Sequence, residues 1–163
     1  MRHFVLALAM VHTASVGTQP VQAPPTKSSV AVPLVGDWRL NLARTHYGPG
    51  VDRRRSELFS CAAQGNRIRC EIRSVRADGH EVVGRFTAPL DGTSAPATGI
   101  PGVDEIQLRR PSDSLLDATF LVRGTPIFGY RALQSSDGRS LMFISVDPVT
   151  RVALTTIVVY DRR

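Results

Sequence analysis

From Leu34 onward, apolar side chains recur at every second position in short runs, and no segment sustains the three-and-four spacing of an amphipathic helix. Between Arg67 and Val75, for example, Ile68, Cys70 and Ile72 alternate with Arg67, Arg69, Glu71 and Arg73, giving one wet and one dry face. This pattern predicts an all-β domain. Strands are expected at about 37–42, 56–63, 67–75, 81–88, 104–110, 115–123, 127–135, 140–147 and 152–160. Gly65-Asn66, Asp78-Gly79 and Asp137-Gly138 supply tight-turn signals between them, with looser breaks at 124–126 and at Asp147-Pro148. Short links make successive strands antiparallel neighbours, and only 43–55 and 89–103 are long.

Eight or nine strands joined in order either close into an up-and-down barrel or divide into a sandwich. Sandwiches need long crossovers, and closure removes exposed edges, so the expected fold is a single up-and-down antiparallel barrel over residues 34–163. A barrel of that size is either plugged by its own side chains or holds one small ligand. Parity places Trp38, Leu40, Phe59, Cys61, Ile68, Cys70, Ile72, Val82, Phe86, Ile106, Leu108, Leu116, Phe120, Phe128, Met142 and Ile144 inside. Of these, Phe59, Ile72, Phe86, Leu108, Phe120, Phe128 and Met142 are the candidate ligand contacts. In the last strand the run from Leu154 to Val159 is apolar on both faces, and parity gives no answer there.

The segment before the domain has a different character. Arg2 and His3 precede an apolar run from Phe4 to Val11, followed by small and polar residues to Ala23, the three-part layout of a secretory signal peptide. Cleavage is open between Gly17 and Ala23. Residues 24–33, rich in Pro, Ser and Val, are expected to form a flexible leader. The expectation is therefore an exported protein, periplasmic or secreted. No run of apolar residues is long enough for a membrane-spanning helix.

Export gives the two cysteines a meaning. If Gly65-Asn66 is a two-residue hairpin loop of type II′, paired residues sum to 131, and Cys61 and Cys70 face each other in a non-hydrogen-bonded pair. Such α-carbons lie close enough for a disulfide, which an oxidising compartment favours. A Cys61–Cys70 bridge is expected.

The chain has 163 residues with 20 basic and 14 acidic ones, a formal charge of +6, and all but one of the basic residues are arginine. Arg53, Arg54, Arg55, Arg109 and Arg110 form the expected basic rim, diluted by neighbouring Asp52, Glu57 and Asp113. Nucleic acid is not an expected partner, since the chain lacks a recognised array of base-stacking aromatics. Anionic envelope polymers fit the charge better. No phosphate loop, nucleophile elbow, metalloprotease helix or dinucleotide fingerprint occurs, so no catalytic residue, metal site or cofactor is expected. His46 lies in a long loop and His80 at a hairpin tip. A hydrolase would need His46 near a carboxylate or hydroxyl in a cleft.

Gly36-Asp37-Trp38-Arg39-Leu40-Asn41 resembles the G-x-W opening strand of the lipocalins and wider calycin barrels. Thr45, Pro49-Gly50, Asp91-Gly92, Pro96-Ala97-Thr98-Gly99, Pro101, Asp104 and Leu108-Arg109-Arg110 follow in an order similar to that of small exported bacterial lipocalin-like proteins of unassigned function. The resemblance covers about residues 35–160, lacks the C-terminal helix of full lipocalins, and does not include the cysteine pair. It implies a cup closed at one end by Trp38, with any pocket at the other. The expected function is thus a non-enzymatic barrel binding a small apolar or amphipathic molecule in its lumen, which needs a void of roughly 300 Å³ or more. The alternative is an envelope interaction or inhibitor module with a solid core, binding anionic polymers or a protein through arginine-rich loops.

Overall fold

The computed structural model describes residues 32–163, so the expected signal peptide over 1–23 and most of the leader over 24–33 lie outside the described residues. Ten strands follow one another: β1 (Gly36–Leu40), β2 (Arg54–Gln64), β3 (Arg67–Arg76), β4 (Glu81–Pro89), β5 (Asp91–Thr98), β6 (Glu105–Arg109), β7 (Leu115–Val122), β8 (Thr125–Gln134), β9 (Ser140–Val146) and β10 (Ala153–Arg162). Each is antiparallel to its neighbours, and β1 pairs with both β2 and β10, closing the sheet into an up-and-down barrel.

The expected count of eight or nine is corrected to ten by β5. Its sequence, Asp-Gly-Thr-Ser-Ala-Pro-Ala-Thr, is poor in β-branched and aromatic residues, so it reads as part of a Gly- and Pro-rich link. Sheet closure overrides that weak propensity. Phe86 pairs with Ala97 on one side and Ile106 with Ala95 on the other, and the strand turns its small residues Ala95 and Ala97 into the core.

The hairpin of β2 and β3 has the expected register: Gln64 faces Arg67, Ala63 faces Ile68, and Cys61 faces Cys70. The disulfide is formed, with α-carbons 4.2 Å apart. Gly65 has φ 62°, the left-handed conformation that a first central glycine supplies in this turn.

One end of the barrel is shut by its single tryptophan. Trp38 is wholly buried and donates from Nε1 to the Leu34 carbonyl at 3.0 Å, which satisfies its only polar atom. The Arg162 guanidinium covers the ring from outside at 4.5 Å, a cation–π contact. Leu34 is folded beneath the strands and is also buried. At the opposite end, the segment between β1 and β2 crosses β10 at Gly48. A Cβ there would clash with the Thr155 Oγ1, and the Gly48 N–H donates to the Thr156 hydroxyl at 2.9 Å.

Candidate functional site: an open lumen with a buried ion pair

The strands enclose a cavity of about 750 Å³ that opens between Pro49, Val51, Ile100, Pro101 and Leu154. Its wall is mainly apolar and carries a belt of aromatic rings. Phe120 stacks on Phe128 at 4.4 Å, and Tyr130 continues the belt edge-on to Phe143 at 5.9 Å. Phe143 in turn meets Phe59 at 5.7 Å and Tyr160 at 5.3 Å. Edge-to-face arrangements of this kind fix ring positions and leave a shaped apolar surface rather than a collapsed core. Ile100 reaches over the mouth across β4 because residue 84 is glycine; a Cβ at that position would meet the Ile100 Cγ1 at 2.6 Å.

Among the residues that parity places inside, Phe59, Ile72, Phe86, Leu108, Phe120 and Phe128 all line this lumen. Met142 does not, nor does Ile144, and both placements are corrected. On β9 the inward positions are Leu141, Phe143 and Ser145. The strand is apolar on both parities, so pattern cannot choose between them. Register can: Phe143 lies opposite Ala132 on β8 and Val158 on β10, both buried. On β10, where parity gives no answer, the ladder shifts between Ala153 and Ile157, after which Thr156, Val158 and Tyr160 form the inner row.

The main feature missed from sequence is inside the barrel. Arg54 and Glu57 are three residues apart, which on a regular strand puts them on opposite faces. The β2–β3 register slips between Arg54 and Ser56, a bulge that turns Arg54 inward while Glu57 keeps its inward parity. The two form an ion pair at 3.0 Å within the lumen lining. Leu40 pairs with Tyr160, and Arg39 pairs with Leu58, so β1 carries Tyr160 and Glu57 at the same height on its two sides. There the Tyr160 hydroxyl donates to Glu57 Oε1, and Arg54 Nη1 donates to the same oxygen.

Burial pushes the Tyr160 hydroxyl well above its ordinary pKa, and the Glu57 carboxylate adds to the shift. For Arg54, burial acts to lower the pKa, but Glu57 and the surrounding tyrosines outweigh it, and the guanidinium is held above its usual value. Burial raises the pKa of the Tyr47 hydroxyl, and the Arg54 charge, then the Arg54 backbone, temper that upward shift. Among the described residues this hydroxyl is the one buried side-chain polar atom without a well-formed hydrogen bond.

The expected basic rim is correspondingly changed. Arg53 and Arg55 are exposed at the open end, whereas Arg54 points into the barrel. Arg109 and Arg110 end β6 at the closed end, so the five arginines do not make one patch. His46 is exposed and held through its backbone, which exchanges two 2.8 Å hydrogen bonds with Ile157; its side chain does not line the lumen. His80 sits 3.0 Å from Asp78 at a hairpin tip. Among the described residues no cluster of His, Cys, Asp or Glu could hold a metal ion, and no helix is long and apolar enough to cross a membrane. Compared with protein-family models, curated proteins and solved structures, the chain matches none of them.

Proposed function

We propose that this protein is an exported, non-enzymatic barrel of lipocalin-like character that holds one small amphipathic molecule in its lumen. The observation that carries the reading is the cavity of about 750 Å³, well inside the range of about 300–1,000 Å³ typical of small-molecule sites. Its wall is largely aliphatic and aromatic, and it holds a buried Arg54–Glu57–Tyr160 hydrogen-bonded cluster, so it offers burial along a tail and polar partners for a head group. The disulfide fits an oxidising compartment, in keeping with the signal-like start of the chain. The alternative of a solid barrel acting through its loops has less support, because the lumen is not filled and the arginines are divided between two ends.

Fluorescence titration with the neutral apolar probe N-phenyl-1-naphthylamine tests this reading. Saturable enhancement at one probe per chain is expected. Ser74→Trp, which adds an indole to a buried lumen position, is expected to weaken binding at least tenfold while leaving the β-sheet circular dichroism unchanged. Absence of saturable enhancement in the wild-type protein would remove the proposal.

A further inference from the structure

The charged residues lining the lumen are Asp52, Arg54, Glu57 and Arg76, and they cancel in pairs. Arg54 pairs with Glu57 in the interior, and Arg76 pairs with Asp52 at the mouth. The inner pair is not saturated. Nη1 is the guanidinium nitrogen engaged by protein, and Glu57 receives both its hydrogen bonds on Oε1. Further N–H donors of Arg54 and the second carboxylate oxygen of Glu57 therefore remain for a guest, donors and an acceptor on one ion pair of the lumen lining.

We propose that the lumen selects amphiphiles with an uncharged head group able both to donate and to accept a hydrogen bond, a hydroxyl or a carboxamide, over those ending in a carboxylate. This rests on the lumen-binding reading above and names its ligand class. A hydroxyl accepts from Arg54 and donates to Glu57, so both members of the pair gain a partner without being separated. A carboxylate has nothing to donate. It can approach Arg54 only beside the like-charged Glu57, and it brings into an apolar enclosure a charge for which no unpaired cation is present. The arginine is thus compatible with a neutral guest, although an arginine in an apolar cavity suggests an anion at first sight. Tyr130 and Tyr160, the tyrosines lining the same lumen, add no positive charge.

Three guests with the same ten-carbon chain separate head group from tail: 1-decanol, decanamide and decanoate. Each is used to displace N-phenyl-1-naphthylamine at about pH 8, where the acid is fully ionised. The alcohol and the amide are expected to displace the probe at concentrations at least about tenfold lower than decanoate. Glu57→Gln removes the like charge and frees the guanidinium, and should improve decanoate at least about tenfold while changing decanol less than about threefold. If that variant does not fold, the wild-type ranking decides alone. Decanoate binding the wild type as tightly as decanol, or an unchanged ranking in folded Glu57→Gln, would overturn the proposal and leave the lumen-binding reading intact. If the probe binds and none of the three displaces it, the head-group proposal falls alone; if the probe itself does not bind, both fall.

Discussion

Arg54 sits in a run of three arginines that reads as a solvated basic edge, and only the slip of one residue in the β2–β3 ladder turns it into the barrel. A pattern of residue types carries no mark of a bulge without glycine, so neither the direction of Arg54 nor its pairing with Glu57 was legible. The Glu57 side was partly so: Phe59 shares the inward parity of Glu57, and simple alternation places that row inside. Breaking the pair has a defined consequence. Arg54→Met leaves the buried Glu57 carboxylate without its cation and is expected to cost about 3 kcal/mol in urea unfolding. The double variant Arg54→Met/Glu57→Leu is expected to recover most of that loss, because an apolar pair of similar volume avoids desolvating two charges. Equal instability in the single and double variants would show that the pair does not act as a unit.

The hairpin of β2 and β3 is the element that sequence specified best. A glycine able to take positive φ, an alternating pair of strands and two cysteines equidistant from the turn all demand the same register. Reducing the Cys61–Cys70 bridge, or replacing both cysteines by alanine, is expected to lower stability by about 2–3 kcal/mol, the loop-closure cost of so short a ring. The closed sheet should survive, since eighteen-residue hairpin pairing continues on both sides of the bridge through Gln64–Arg67 and Ser56–Val75. Strand β5 marks the opposite case. Nothing in its own composition favours an extended pairing, and its place follows from the need of β4 and β6 for a partner between them. Strand β9 lies between these extremes: its existence was plain from its apolar run, while its facing required the ladders on both flanks.

At the scale of the whole molecule, the succession of short links made closure legible, whereas the open interior was not, because large inward residues can as readily fill a barrel as line one. The titratable groups set the pH range in which the closed form is stable. Hydrogen bonds from Arg73 and Arg85 hold the Glu71 carboxyl below its ordinary value, and turn hydrogen bonds do the same for Asp78, Asp91, Asp137 and Asp147. Carboxylates depressed in the folded state contribute stability that is present above their unfolded pKa of about 4 and is lost as pH falls below it. On the alkaline side, the raised Tyr160 contributes stability that is complete below about pH 10 and lost as pH rises further. Thermal melts should therefore show Tm falling below about pH 4 and again above about pH 10. A Tm that stayed flat through the acid limb would contradict the carboxylate assignments.

Native mass spectrometry of the folded protein after incubation with N-phenyl-1-naphthylamine tests the container directly. The account predicts a complex of one guest per chain that dissociates on unfolding and is absent from Ser74→Trp. Bare chain alone at every guest concentration, or several guests bound equally by wild type and Ser74→Trp, would contradict it.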